Sequence, residues 1–352
     1  MVSNQPVTTA MMMQRLTFLL VIASIGCATG DSAGRADSAS GAVTRDSTVA
    51  AAPSTTEYNQ FGDRYGRVPI LEYHVIGDSS RGMFVISRQE FQRDLQQLYD
   101  RGYRPITVAQ LVAKDFSDVP AGMSPVVFTF DDASPEQFSY VERNGQLEID
   151  PTSALGMWQA FAQKHPDWKG KATFCVLSGA EAGHNFFGDK EKFRGQKKEW
   201  RFQKMKWLAD NGFEICNHTL WHAQLSKYPD AFVQEQIARL QVAVDSAVPG
   251  YRIKTMALPQ GLWPKNRDLA WRGSWTDPKS GSATRYDHAT VLEVAGGPAR
   301  SPFDPAFDGR KLPRVIAYRD EVKKTLDRLD ATKTRFVWDG GRTAERTAER
   351  AP

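Results

Sequence analysis

The 352-residue chain has no long hydrophobic run, no block of like charge and only three cysteines. Each absence excludes something. The longest apolar stretch, Leu16-Thr17-Phe18-Leu19-Leu20-Val21-Ile22-Ala23, is too short to span a bilayer as a mature helix, which takes about 20 residues. It suits the core of a signal peptide, with Arg15 as its basic flank. The 45 Lys and Arg nearly balance 41 Asp and Glu, leaving a formal charge of +4. The two signs are interspersed, so the chain carries no electrostatic footprint for nucleic acid. Apolar residues make up 41% of the chain, enough for one large core.

The amino terminus reads as an export and anchoring signal. Ser24-Ile25-Gly26-Cys27 resembles a bacterial lipobox, which makes Cys27 the expected lipidated residue and residues 1–27 a lipoprotein signal peptide. Residues 28–60 are dominated by Ala, Ser, Thr, Gly and Asp and cannot bury enough surface to offset their ordering entropy, so a flexible tether is expected. The domain boundaries that follow are 61–340 for a single catalytic domain and 341–352 for a disordered charged tail, where Thr-Ala-Glu-Arg occurs twice. Two copies of four residues make no solenoid.

Within the domain, apolar runs alternate with amphipathic stretches, which favours an α/β fold. Helical spacing is visible in Phe91–Leu98 and Phe232–Val244, and Ser153–Lys164 also reads as a helix stopped by His165-Pro166. Ser87 and Glu90 have the spacing of a capping box.

Two segments carry chemistry. Pro125-Val126-Val127-Phe128 runs into Thr129-Phe130-Asp131-Asp132, and Gly212-Phe213-Glu214-Ile215 runs towards Asn217-His218-Thr219-Leu220-Trp221-His222. A His-x-x-x-His pair on a helix or strand-to-helix turn presents two imidazoles on one face, and a neutral imidazole nitrogen is a good zinc ligand. Adjacent aspartates at a strand end point to different sides, so one can bind a metal while the other stays free as a base. Either pair could be ordinary surface residues. Together, each closing a β-like run, they point to a site at the carboxyl ends of barrel strands.

These segments resemble the NodB-type polysaccharide deacetylases, carbohydrate esterase family four, over roughly residues 68–265. The resemblance implies an irregular (β/α)7-type barrel. It implies Asp131 as general base and Asp132, His218 and His222 as ligands of a divalent metal, with zinc expected and cobalt, nickel or manganese as alternatives. Ala172-Thr173-Phe174-Cys175-Val176-Leu177 is similar to a further family strand. The chain departs from the usual pattern after the aspartates, with Ala133-Ser134-Pro135, and at Ala257-Leu258-Pro259-Gln260-Gly261, where the family arginine that pairs with the base is missing. That last segment looks more like the permuted branch that includes bacterial poly-N-acetylglucosamine deacetylases. In that branch a Tyr-His near the start supplies the general acid, here His74 in Leu71-Glu72-Tyr73-His74, with His288 as the fallback. Arg314-Val315-Ile316-Ala317-Tyr318-Arg319 contains no histidine and cannot supply an acid.

The implied reaction is hydrolysis of the N-acetyl group of an N-acetylglucosamine-containing polysaccharide, releasing acetate. Peptidoglycan, poly-N-acetylglucosamine and chitin-like polymers all fit. A metal would polarise the amide and activate water, Asp131 would take a proton and His74 would return one. The backbone N–H of Gln260, beside Pro259, would help to hold the oxyanion. Trp221 and Trp263, with Trp271 and Trp275 behind them, are candidate sugar platforms, while His165 reads as a helix-end residue and His184 as a loop residue able to line a groove. Cys175 and Cys216 lie in strand patterns where a reduced cysteine packs as a small core residue, although the implied fold would bring their strands near enough for a bridge. Cys216 is expected to turn away from the face that His218 uses. The expected assembly is a monomer in the cell envelope, exported and touching membrane only through a lipid anchor. A binding protein of the same fold without turnover, or an esterase acting on O-acetyl groups, would share most of these residues.

Overall fold

The computed structural model describes residues 62–179, 186–188, 192–193 and 196–341. Cys27, the apolar segment, the tether, His184 and the repeats after residue 341 lie outside them.

Seven parallel strands close into a barrel in strict chain order: β1 (Ile70–Tyr73), β2 (Ser124–Asp131), β3 (Thr173–Val176), β4 (Glu214–Asn217), β5 (Thr255–Ala257), β6 (Thr290–Gly296) and β7 (Lys311–Ile316), with β7 pairing back to β1. This is the expected (β/α)7-type barrel. A short strand, Tyr103–Ile106, extends the sheet by pairing with the first half of β2. The outer layer is α1 (Arg88–Asp100), α2 (Val108–Ala113), α3 (Ala154–Lys164), α4 (Arg201–Asp210), α5 (Asp230–Ala247) and α6 (Glu321–Ala331). No helix separates β6 from β7. Local chemistry fixes the helix ends as the sequence leads one to expect. Ser87 Oγ accepts from the Glu90 backbone and Glu90 answers at the Ser87 N–H, while Ser153 caps α3 and His165 closes it. The His165 ring packs between Tyr99 and Phe161, which accounts for it without a functional role.

Because strand side chains alternate, each barrel strand feeds two environments. Leu71, Val126, Phe128, Phe130, Phe174, Val176 and Ile215 face outwards into the core beneath the helices. Ile70, Val127, Cys175, Cys216, Ala257, Leu292 and Leu312 fill the barrel itself. Below this apolar layer the buried carboxylate of Glu214 accepts hydrogen bonds from Thr173 (2.8 Å), Thr255 (2.5 Å) and the Ala109 backbone (3.0 Å), so the lower end of the barrel is plugged by a satisfied polar cluster. Above it stand Glu72, Thr129, Asp131, His218 and Arg314, all buried.

The apolar layer corrects two expectations about cysteine. Cys175 and Cys216 are register partners on β3 and β4 and are bridged, with an S–S separation of 2.27 Å. Strand alternation has a period of two, so Cys216 shares its face with His218 rather than opposing it. It is kept from the ligand set by lying one layer lower and by its bond to Cys175. The bridge joins residues 41 apart in sequence, for which the loss of chain entropy in the unfolded state is worth about 4 kcal/mol. Alkylation of the unfolded, unreduced chain is accordingly expected to leave Cys175 and Cys216 unlabelled, and Cys175→Ala with Cys216→Ala to lower the melting temperature by about 10 °C. Label on Cys175 and Cys216 would sink this.

Candidate functional site

Asp131 ends β2 and is held from across the barrel by Arg314 of β7. The guanidinium donates from Nη1 to Oδ1 at 2.9 Å and from Nη2 to Oδ2 at 2.8 Å, and Nη1 also reaches Thr129 Oγ1 at 3.0 Å. Both residues are buried. Burial by itself pushes the Asp131 carboxyl up, but the Arg314 charge and its hydrogen bonds, together with the charges of His218 and His74, outweigh it and hold the pKa below the usual carboxylate range. Arg314, on a strand that contains no histidine, is thus the cation paired with Asp131.

Glu72 of β1 shares this cation less well. Its Oε2 lies 3.1 Å from Arg314 Nε, but that N–H donates to the Glu293 carbonyl at 2.7 Å, so Glu72 receives the charge without the hydrogen bond. Burial accordingly dominates and raises the Glu72 pKa. At neutral pH the negative charge of the pair rests on Asp131.

Asp132 leaves the strand in the left-handed region, φ 72°, followed by Ala133 at 52°. This turn, rather than strand alternation alone, sends the two carboxylates apart. Asp132 Oδ1 lies 3.2 Å from His218 Nε2 and 3.5 Å from His222 Nε2, and Oδ2 lies 3.9 Å from His74 Nε2. The histidine pair is not on a helix. His218 follows β4, its N–H donating to Val176 O, and Thr219 and His222 both take left-handed backbone in an irregular turn pinned by Asn217, whose side chain accepts from the Thr219 N–H and donates to Ile237 O.

The donor set suits a divalent cation. His218 Nδ1 lies 3.0 Å from the Ala257 carbonyl, which can only accept, so Nδ1 carries the proton and Nε2 presents a lone pair to Asp132 Oδ1. Both atoms are buried without a hydrogen-bond partner. Two acceptors at that distance require a cation between or beside them, either a proton on the imidazole or a metal. Burial lowers the His218 pKa and the Asp131 and Asp132 carboxylates more than reverse it, whereas burial and His218 push His222 down to about 4. His222 is thus neutral at physiological pH, the form in which an imidazole can bind a metal. Asp132, raised by burial, is pulled far down by the three histidines.

His74 stands at the carboxyl end of β1 beside both carboxylates. Its Nε2 lies 3.6 Å from Glu72 Oε1, its buried Nδ1 has no hydrogen-bond partner, and its ring packs on Phe84 at 4.5 Å. A histidine satisfied by a backbone carbonyl is the alternative for such a position, and no carbonyl meets this ring. Burial lowers its pKa, with Asp131 opposing.

The other expected residues divide. Pro259 is buried and Gln260 exposed in the turn after β5, Gln260 with left-handed backbone at φ 57°. Trp221 is 45% exposed beside His222. Trp263 is half-buried, packs on Trp271 at 5.0 Å and donates to Glu293, in a cluster with Trp275. His288 is excluded as an acid by position: it precedes β6, at the amino end of the barrel, where its Nδ1 bonds Ala270 O at 2.8 Å.

Comparison with known proteins gives the same picture. Residues 160–272 match the family described as Polysaccharide deacetylase, a span that carries His218, His222, Pro259 and Gln260. No curated protein matches the chain. Among solved structures it is similar to the Streptococcus pyogenes deacetylase PplD in complex with acetate, 16% identical over 75% of this chain and 98% of that chain, with a TM-score of 0.50. It is similar to IcaB from Ammonifex degensii, 18% identical over 75% and 97%, and to BC0361, a polysaccharide deacetylase from Bacillus cereus, 17% identical over 76% and 69%, each with a TM-score of 0.50. At these identities the likeness shows the fold.

Proposed function

We propose that this chain, which matches the polysaccharide deacetylase family over residues 160–272, is a metal-dependent hydrolase that removes N-acetyl groups from an amino-sugar polysaccharide. The observation that carries the reading is the pairing of two unlike carboxylates: Asp131, ionised and aimed by Arg314, beside Asp132, which faces His218 and His222. A structural ion pair has no use for a second, separately held aspartate, and a site that only binds sugar has no use for the base.

Asp132, His218 and His222 would hold the ion, most plainly zinc, which when bound polarises an amide carbonyl and lowers the pKa of water. The chain's own residues do the rest. Asp131 takes the proton of the attacking water as the C–O bond forms. His74 then gives a proton to the nitrogen as the C–N bond breaks, leaving acetate and a free amine. Burial lowers the His74 pKa, so the imidazolium parts with that proton readily but is the minor form at neutral pH, and the proton that Asp131 takes from water replenishes it. Arg314 fixes the Asp131 carboxylate and keeps it ionised. The turn at Pro259-Gln260 borders the site after β5, where the Gln260 N–H can hold the developing oxyanion.

The cellular setting belongs to the same proposal. Cys27 would be the lipid attachment point and the segment to residue 60 the tether that lets the domain reach a wall or matrix polymer. No helix among the described residues is long and apolar enough to cross a membrane.

The test is acetate release from N-acetylglucosamine oligomers and peptidoglycan, with bound metal measured by elemental analysis. Wild type is expected to carry one divalent ion and release acetate, and His218→Ala to lose both. Equal release by metal-stripped protein would overturn the proposal, and release from acetylated xylan alone would select the esterase.

A further inference from the structure

The segment between β1 and α1 leaves two large apolar side chains in water, Met83 at 49% and Phe84 at 44% exposed. Neither is a loose loop tip. Phe84 O accepts the Val75 N–H at 3.0 Å, and the parallel pair of short strands Val75–Gly77 and Val85–Ser87 clamps the segment on the residue after His74. One part of the Phe84 ring packs against the His74 imidazole, with centroids 4.5 Å apart, and the rest is open. The open part of this ring is a flat apolar surface held beside the candidate acid.

Beside it lies a trough of about 380 Å³ between the β6–β7 edge and α6, whose Glu321, Thr325 and Arg328 line one side. Met83 forms one wall, Gly296, Gly297, Ile316 and Tyr318 form others, and Arg314 lines it too. Met83 joins the trough to Phe84, its neighbour in the chain, which lies against His74. A Cβ on Gly296 would meet Pro313 at 2.7 Å, and its φ of 124° is one that side-chain-bearing residues rarely adopt, so the floor stays bare.

We infer that Phe84 is the stacking platform for the pyranose that bears the reacting N-acetyl group, and that the trough beyond Met83 receives the neighbouring sugar of the chain. The ligand class is a linear glycan of at least two units that presents the apolar face of its ring. The inference rests on the proposed deacetylase reading for the reaction, but not for the binding.

Phe84→Leu keeps an apolar group against His74 and removes the flat face, while Phe84→Trp keeps the face. With the full-length protein and N-acetylglucosamine oligomers of two to five units, Phe84→Leu is expected to raise KM about tenfold with kcat within twofold, and Phe84→Trp to restore KM. The pH profile should not move, since His74 keeps its packing. Calorimetric binding of the same oligomers to Asp131→Asn, with and without Phe84→Leu, reads the platform without turnover, with the same tenfold loss expected. Acetate release with KM unaltered in Phe84→Leu would overturn the platform and leave the deacetylase standing. Binding that depends on Phe84 with no release from any oligomer would do the reverse. A kcat loss that Phe84→Trp does not rescue would make Phe84 a mere support for His74 and would also overturn the inference.

Discussion

Asp131→Asn is expected to lower kcat/KM on an N-acetylated glycan by about 10²–10⁴ while leaving the bound metal content unchanged, the range that loss of a positioned general base brings. The expectation follows from the separation of the two aspartates. Asp132 faces His218 and His222, whereas Asp131 meets none of their ring nitrogens and gives both oxygens to Arg314. An amide at position 131 keeps the shape and one acceptor for the guanidinium but cannot take a proton. Glu72 would absorb part of the change. With the Asp131 charge gone, one of the influences raising the Glu72 pKa disappears, and Glu72 ionises more readily beside Arg314, which limits the loss of stability. Elemental analysis, melting temperature and acetate release on the same preparation separate these effects. Loss of the ion together with activity would place Asp131 among the ligands, and retained activity would remove it from the mechanism.

Four of the residues that the structure gathers at this site could be picked from the sequence because the barrel brings together the carboxyl ends of strands and each contributing motif is short. Asp131 and Asp132 are adjacent, and His218 and His222 lie within one turn. His74 required the family resemblance, since a single histidine after an apolar run has no local signature. Arg314 was missed for a physical reason. Its partner lies 183 residues away, and no local pattern reports a contact across a closed barrel. A signal did exist: an arginine flanked by Val315 and Ile316 in a barrel strand is a charge in an apolar pattern, and a buried charge demands a partner. The error over Cys216 was one of parity, because residues 216 and 218 differ by a full strand period. Phe84 was passed over because the aromatics considered were the tryptophans near the motifs, and no local pattern reports that the fold leaves this ring open beside His74.

Arg314→Met should be the most disruptive single change in the barrel, costing about 3–5 kcal/mol of stability because it strands buried carboxyls without their cation. Its distinguishing mark is the pH dependence. In the wild type, burial raises the Asp131 pKa and Arg314, with His218 and His74, outweighs it, so the folded pKa lies below the unfolded value of about 3.9. The pair's contribution to stability is therefore fully present above that value and is lost only as the pH falls through the folded pKa. Without Arg314 only the His218 and His74 charges remain against burial, so the folded pKa of Asp131 rises. The Asp131 contribution at neutral pH shrinks accordingly, and the raised Glu72 pKa, about 8 in the wild type and higher without the guanidinium, deepens the loss of stability as the pH climbs above the unfolded glutamate value. Activity follows the same group. A base that is protonated at neutral pH cannot accept a proton, so the acid limb of the kcat/KM profile should move to higher pH and part of the rate should return in alkaline buffer. Arg314→Lys should fall between the two, since an ammonium keeps the charge but loses the paired geometry. Melting curves from pH 4 to 8, read beside rate profiles of the three proteins, decide the matter. A stability difference independent of pH, with an unmoved acid limb, would mean that Arg314 braces the barrel without tuning Asp131.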